Sequence, residues 1–423
     1  MGREDEWQKG DPLIDLEDAR KQILARIKPI GTEMVLLEDA VGRIIAESVA
    51  TRDPIPPFDN TAMDGFVLKA RDTSGATPDR PVTLSVVATI EAGMAPSDPL
   101  EDHCAMKIFT GAVIPEGGDA IIPFERCLHH DEQSVVIDRP IHPGAHIRRL
   151  GEDVEADGSV MAPGSRITPG AIGLLASVGA VQVPVNRRPR VAIHSSGNEL
   201  VAIDSALKPG QIRNSNLYSL QARVERWGAI PIPRPILRDD LTEIRSGLQE
   251  TLELKPDAIV TTGGISAGDL DHIREVAREM GDDVQIRKVA MKPGKPLVDG
   301  LIGGVPFFGL PGNPAACLVS FEIFVRPALA RMEGRTDGIL PQRCGVLKAE
   351  RAVPASDRLR LLRGRATADP DGGLDVIEIP SGQGSHLLSG FASSNCLVVA
   401  PPITEVLRPG ERVNYWSLTD EEA

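Results

Sequence analysis

Thr261–Asp271 reads TTGGISAGDLD, Met291–Pro296 reads MKPGKP, and Gly309–Pro314 reads GLPGNP. Each turn follows an apolar run: DAIV, VQIRKVA and VPFF. The runs are rich in β-branched and aromatic residues and read as strands. Strands that open into glycine-rich turns form the rim of an open α/β sheet, where such sheets bind ligands. Lysines and aspartates in the turns suit a ligand carrying phosphate, with or without a metal. From Val191 to about Gly334 the same logic repeats. VAIHSSG, AIPIPRPIL, DAIVTTGG, the run before MKPGKP, and VPFFGLPG read as strands. NSNLYSLQARVERWG, DDLTEIRSGLQETL and DLDHIREVAREMG between them read as amphipathic helices. Alternation of this kind predicts a parallel sheet covered on both faces.

The chain has 423 residues, enough for roughly three domains. Its net charge of −14 argues against a general nucleic-acid or anionic-membrane binder. An anionic ligand then needs local cations, helix N-termini or a metal. Cys104, Cys127, Cys317, Cys344 and Cys396 are scattered, with no CxxC pair and no zinc spacing. MGREDEWQKGD has no apolar core of a secretory signal, and Glu6 breaks the myristoylation pattern. Residues 300–321 carry no charge, but their glycines and prolines argue against a membrane span. A cytoplasmic protein is expected.

Outside the α/β region, Asp15 caps a predicted helix, LEDARKQILARI, with Leu16, Ala19, Ile23 and Ile27 on one face. The proline-rich RDPIPPFDNTAMDG (Arg52–Gly65) excludes helix. Short alternating runs then predict a mostly β module up to an exit turn at His142–His146. PGAIGLLASVG reads as a helix opened by Pro169 and closed near Gly179, and AVQVPV as a strand. Asn186–Arg190 reads as a linker. From Leu340, short β runs predict a small barrel or sandwich.

TTGGISAGDLDH spaces Gly263 and Gly268 like a phosphate-binding loop, but Asp269 stands where that motif needs lysine, which excludes it. The turn offers backbone N–H groups for an anion. Ser266, Asp269 and Asp271 offer oxygens for a hard cation such as Mg²⁺ bridging to phosphate. The alternative is a plain turn with helix-capping aspartates. MKPGKP presents Lys292 and Lys295 on a stiff turn, suited to an oxyanion or to solvent. In GLPGNPAAC, Pro311, Gly312, Asn313 and Pro314 precede an apolar helix that Asn313 is placed to cap. HSSGNELV brings Ser195, Ser196, Asn198 and Glu199 to the same rim. His194 reads as packed, and the serines have no triad partners. FDNTAMDG (Asp59, Asp64), FTGAVIPEGGDAII (Thr110, Glu116, Asp119) and RRLGEDV (Arg148, Arg149, Glu152, Asp153) are acidic loops that spacing alone does not distinguish from ordinary ones.

In chain order, DNTAMDGF, IFTGAVIPEGGDAII, RRLGEDV, HSSGNELV, IRNSNLYSL, TTGGISAGDLD, MKPGKPL, GLPGNPAA and QGSHLLSGFASSNCLVVAP resemble the motifs of the MoeA family. These are the molybdopterin molybdenumtransferases that include the C-terminal part of gephyrin. The resemblance implies a multidomain α/β plus β molecule. Residues 1–56 and 147–186 would form an elongated N-terminal domain, and 57–146 an inserted β domain. Residues 187–335 would form a MogA-like α/β molybdopterin-binding domain, and 340–423 a small C-terminal β-barrel domain. It further implies a homodimer whose site is shared between subunits, with other enzymes of the pathway as further partners.

The implied reaction inserts molybdate into adenylylated molybdopterin and releases AMP, with Mg²⁺ as companion ion. Lys292 and Lys295 would hold oxyanion or phosphate. Asp64, Asp153, Glu199 and Asp271 match acidic catalytic positions, and Glu199, Asp239, Asp240, Asp269 and Asp271 match candidates for metal. Thr110, Ser385, Arg358 and Arg363 match ligand-binding positions. Ser195, Ser196, Gly263, Gly264, Ser266, Gly268 and Pro311–Pro314 would line the pterin nucleotide. The chain departs from the family at Asn198, where Asp is usual, at Phe66 for Tyr, and at Asp269 for a frequent Glu. Two rival readings are adenylyl transfer to molybdopterin from ATP and a non-catalytic molybdopterin-binding scaffold.

Overall fold

The computed structural model describes residues 13–265, 272–353 and 356–419. The chain folds as two compact units. One takes the chain up to Glu33 together with everything from Asn186 onward, and the other runs Met34–Val185.

Within Met34–Val185 the main element is a six-stranded sheet of mostly antiparallel strands. Its order is Ala120–Pro123, Gly65–Leu68, Cys104–Ile108, Val82–Ile90, Ser134–Ile137 and His129–His130. Period-two alternation builds two cores on it. Phe66 and Leu68 bury on one face with Leu84, Ile122 and Val135, while Val67 buries on the other with Met106, Ile108 and Ile121. The Pro169–Ser177 helix packs Leu175 with Ile45, Val183 and Val185. Thr168 caps it by accepting from the Ala171 N–H, Pro169 fills its first turn, and Gly179 follows at φ +74°.

In the other unit, helix α1 (Leu16–Ala25) starts at Asp15, whose carboxylate accepts from the N–H groups of Glu17 and Asp18. Leu16, Ala19, Ile23 and Ile27 are buried in one core with Val289, Met291 and Met332. This helix packs its apolar face on the α/β unit. The alternation then runs β1 (Arg190–Ser195), α2 (Ser215–Arg226), β2 (Ile230–Pro233), α3 (Leu241–Glu253), β3 (Ala258–Thr262), α4 (His272–Met280), β4 (Gly281–Lys288), β5 (Pro296–Ile302), β6 (Val305–Leu310) and α5 (Pro314–Ser320). The sheet order is β2-β1-β3-β6-β5-β4. Strands β2, β1, β3 and β6 are parallel, but β5 runs antiparallel to both neighbours. The expected all-parallel sheet is thus mixed. Strand β5 escapes a hydrophobic reading because PLVDGLI holds Asp299 and Gly300. Asp299 is buried in an ion pair with Arg287 and a second with Arg26 at 2.9 Å, and a buried charge persists only when paired. Gly303 and Gly304, at φ +56° and +79°, make the two-residue turn into β6. Because β5 reverses twice, β4 ends at the same rim as β3 and β6.

The expected linker is short and anchored. Asn186 ends a strand, Arg187 grips Asp257 with both terminal nitrogens at 2.9 and 2.6 Å, and Arg190 already belongs to β1. Beyond α5 lie β7 (Gln342–Leu347), β8 (Leu359–Thr367), β9 (Asp375–Glu378), β10 (Cys396–Ala400) and β11 (Arg412–Ser417). They close in the cyclic order β8-β9-β7-β11-β10 into a five-stranded barrel around Leu347, Leu362, Ile377, Val398 and Tyr415. Met291 and Lys292 add a parallel pairing to β8, opposite Leu359 and Arg360. The lysine turn is therefore bonded to both the sheet rim and the barrel. No helix of the described residues is long and apolar enough to cross a membrane.

Candidate active site

The rim of β1, β3, β4 and β6, the start of α2 and the β8 side of the barrel enclose a cavity of about 1330 Å³. That exceeds the roughly 300–1,000 Å³ of ordinary small-molecule pockets and suits a composite ligand.

Three turns shape its floor. At Gly263, φ is +93° and a Cβ would collide with the Ser196 carbonyl, so the β1 and β3 turns close on each other only with glycine there. Thr262 Oγ1 donates to the Pro311 carbonyl at 2.9 Å. The Asn216 amide donates to Thr262 Oγ1 at 2.9 Å and to the Gly312 carbonyl at 2.8 Å. The opening of α2 is thereby tied to the β3 and β6 turns. Asn214 caps α2 by accepting from the Leu217 N–H. Asn313 occupies the cap position of α5 without a side-chain cap bond. The Ala315 N–H there instead donates to the Ser385 carbonyl at 2.9 Å, which docks the QGSH loop on the β6 turn. Beneath them Cys317 is fully enclosed, and burial pushes its thiol up to about 12, so it is inert packing.

Charge is divided across the cavity. Among the described residues its lining carries Lys292, Lys295, Arg213, Arg351, Arg358 and Arg360, against the two carboxylates Glu199 and Asp239. Asp239 accepts from Ser196 Oγ and from the Asn198 N–H, both at 3.1 Å, and its own N–H donates to Asn198 Oδ1 at 3.2 Å. This reciprocal clasp gives Asn198 a turn-shaping task that its amide oxygen performs as an aspartate oxygen would. Glu199 folds back over Gly197, where a Cβ would lie 2.7 Å from Oε1. Ser195 is buried at the end of β1, and its hydroxyl has no hydrogen-bond partner among the described residues. His194 is packed as expected, with Nε2 2.8 Å from Thr251 Oγ1.

Of the residues singled out from sequence, Glu199, Asp239, Lys292, Lys295, Ser195, Ser196, Gly263, Gly264, Pro311, Gly312, Asn313, Pro314, Arg358 and Ser385 line this cavity. Ser266, Gly268, Asp269 and Asp271 fall outside the described residues. Asp240 is not in the lining: its carboxylate caps α3, accepting from the N–H groups of Thr242 and Glu243 at 2.9 Å each. Arg363 is not in the lining either. It is buried, donating to the carbonyls of Gly382, Gly384 and Leu387 at 2.7, 3.1 and 3.2 Å. It shapes the loop that carries Ser385. Asn216, Arg351, Arg360 and His386 line the cavity and escaped the sequence reading. Asn216 lies inside the IRNSNLYSL motif without a role of its own there, while Arg360 lies in barrel strand β8 and Arg351 in a short strand paired with Val406–Leu407, both without a motif.

Asp64, Thr110 and Asp153 belong to the Met34–Val185 unit and line no part of this cavity. There the three acidic loops converge. Thr110 donates to Asp64 from both its N–H and its hydroxyl at 2.7 Å, which holds the Asp64 carboxyl below the usual range. Asn60–Thr61 pairs with Ile147–Arg148, Asp59 accepts from Arg149 at 2.6 Å and the Leu150 N–H at 2.8 Å, and the Asp153 N–H donates to the Ile55 carbonyl. Backbone pairing thus joins segments some 90 residues apart into one acidic surface.

Family models cover nearly the whole chain. The MoeA N-terminal region (domains I and II) matches residues 14–179. A probable molybdopterin binding domain matches 192–331, and the MoeA C-terminal region (domain IV) matches 347–418. The chain is 38% identical over 390 residues to molybdopterin molybdenumtransferase 2 of Mycobacterium tuberculosis, covering 91% of this chain and 95% of that one. It is 33% identical over 417 residues to the molybdopterin molybdenumtransferase of Staphylococcus aureus, covering 98% of each. Among solved structures it resembles the molybdopterin biosynthesis MoeA protein of Pyrococcus horikoshii. There the TM-score is 0.82 at 28% identity, covering 96% of this chain and all of that one. Likeness of this extent, with the same order of domains, makes the chain a member of the MoeA family.

Proposed function

We propose that the protein inserts molybdate into adenylylated molybdopterin and releases AMP, completing the molybdenum cofactor. The observation that carries this reading is the cavity itself, a large polarised chamber with a rigid lysine turn on one side and carboxylates on the other. In our reading the glycine-rich turns of β3 and β6 hold the pterin nucleotide, and the buried Ser195 hydroxyl is a ready donor for it. Lys292 and Lys295 hold the oxyanion beside the pyrophosphate link. The dithiolene sulfurs bond molybdenum as one oxide leaves as water, and water opens the phosphoanhydride to give AMP and the pterin phosphate.

Mg²⁺ fits this site on the chemistry of its donors. No three acidic, His or Cys side chains among the described residues are grouped to hold a metal. Glu199 and Asp239 nevertheless both line the cavity, and Mg²⁺ is ordinarily held by one or two carboxylates together with substrate phosphates and water. Asp269 and Asp271 are further candidates. When bound, the ion would neutralise charge on the pyrophosphate. We read the acidic surface around Asp64, Thr110 and Asp153 as the remainder of the site, supplied by the second copy of a homodimer. A cytoplasmic location accords with five free cysteines.

Two incubations test the proposal. One supplies adenylylated molybdopterin, Mg²⁺ and molybdate, and the other molybdopterin with ATP. AMP release in the first alone supports molybdenum transfer. Adenylylation in the second would make this an adenylyltransferase, and tight pterin binding with neither reaction would make it a scaffold.

A further inference from the structure

Asn216 stands at the start of α2 and lines the cavity. Its side-chain amide donates to two oxygens, Thr262 Oγ1 at 2.9 Å and the Gly312 carbonyl at 2.8 Å. The carbonyl can only accept. Thr262 Oγ1 has its single hydrogen on the Pro311 carbonyl at 2.9 Å, so toward Asn216 it accepts as well. Two acceptors fix which end of the amide is nitrogen, and they engage both of its hydrogens. Oδ1 is left without a hydrogen bond among the described residues. The other amides of the lining differ. Asn214 Oδ1 accepts from the Leu217 N–H, Gln383 bonds through both ends to the Arg363 backbone, and the Asn313 side chain has no cap bond to fix it. Asn216 therefore presents a neutral acceptor whose orientation is set by the β3 and β6 turns.

Resting on the transfer reading above, we propose that Asn216 is a specificity-determining residue whose Oδ1 accepts from a ring amine of the pterin nucleotide. The ligand chemistry is an exocyclic amine on a fused nitrogen heterocycle, which both the pterin and the adenine of the proposed substrate carry. An amine donates, whereas a ring oxo group at the same place only accepts. Because both Nδ2 hydrogens are engaged, the amide cannot turn over to meet an oxo group without breaking its bonds to the two turns. An oxo analogue therefore sets two acceptors against each other. A site built around a substrate donor rejects the analogue lacking it far more strongly than apolar contacts can. Thr262, which holds the amide, is itself buried at the end of β3, so the acceptor is rigidly placed. A neutral acceptor also suits this cavity, since a carboxylate at the same place would repel the phosphates that it holds in our reading.

Changing ligand and residue together tests this. Affinities of the full-length protein are measured for AMP and IMP by calorimetry, and for pterin and lumazine by their fluorescence. Within each pair an amine becomes an oxo group. Wild-type protein is expected to bind one amine at least about tenfold more tightly than its oxo partner, and Asn216→Ala to bring that ratio within about twofold of one. A role confined to tying the turns would weaken both members of a pair alike and leave the ratio unchanged. Loss of discrimination between AMP and IMP assigns Oδ1 to the adenine, and loss between pterin and lumazine assigns it to the pterin. A wild-type ratio near one in both pairs overturns the proposal. So does a ratio that survives in folded Asn216→Ala, or failure of folded wild-type protein to bind any of the four. Thermal melts check folding. If Asn216→Ala does not fold, Asn216→Ser, whose hydroxyl either donates or accepts, carries the same test. No turnover is measured, so the transfer reading can fail while this discrimination stands, and the reverse.

Discussion

Gly294→Ala is the most revealing single change to the lysine turn. Gly294 sits at φ +101°, a backbone region that L side chains rarely adopt. Forcing alanine into such a region costs about 1–3 kcal/mol. Its Cβ would also fall on Met291 Cε and lie 2.7 Å from Ser320 Oγ. Met291 and Ser320 are both fully buried, so neither has open space to retreat into. The turn must therefore move, and Lys292 and Lys295 move with it. A cost of about 2 kcal/mol lowers the melting temperature of a unit this size by roughly 4–8 °C. Displacing one charged hydrogen bond from the oxyanion, worth about 1.5–3 kcal/mol, raises the KM for molybdate by roughly ten- to a hundredfold. Thermal melts and AMP release at varied molybdate measure the two effects. A melting temperature within a degree of wild type would show that the turn tolerates the side chain. A lowered melting temperature with unchanged KM would refute the role given to the lysines.

Asn198→Asp is expected to leave the fold intact, because its oxygen still accepts from the Asp239 N–H. The added carboxylate beside Asp239 should lower the Mg²⁺ concentration for half-maximal AMP release several-fold, as a Mg²⁺ titration would record. Arg363→Gln should reduce stability by about 2–4 kcal/mol in urea unfolding, because it strips donors from three carbonyls of the Ser385 loop. A pH effect follows from His194, which burial pushes down to about 4. Between that value and the unfolded value near 6.5 the unfolded chain binds the extra proton, so stability is full above about pH 6.5 and falls as the pH drops toward 4. The loss amounts to about 3 kcal/mol, read as a denaturation midpoint that decreases between pH 7 and pH 4, with a shallower decrease in His194→Gln.

Much of the α/β unit is legible in its sequence because local signals and burial agree there. Asp15 and Asn214 each cap the helix they precede. The β1 and β3 runs are apolar because the sheet is covered on both faces. What escaped notice is strand β5, whose Asp299 reads as a surface residue until its arginine partners, 12 and 273 positions away, are brought beside it. The site shows the same division. Lys292, Lys295, Glu199 and the glycine turns announce themselves by clustering in sequence. Arg360 reaches the cavity through the pairing of β8 with Met291–Lys292, and Arg351 through a short strand paired with Val406–Leu407, which no local spacing encodes. Arg363 illustrates the converse, a motif position whose charge is spent on backbone carbonyls. Asp64 and Thr110 are 46 residues apart and meet through hydrogen bonds that spacing alone would not single out.

The transfer reading stands or falls on the coupling between oxyanion and nucleotide. Purified protein loaded with adenylylated molybdopterin and Mg²⁺ can be mixed rapidly with molybdate and its AMP release followed through a single turnover. The account predicts little AMP without molybdate and a molybdate-dependent release approaching one AMP per bound pterin nucleotide. It also predicts that Lys295→Ala, still folded, slows that release. AMP release at the same rate with and without molybdate, or none from a folded protein that binds the substrate, would contradict it.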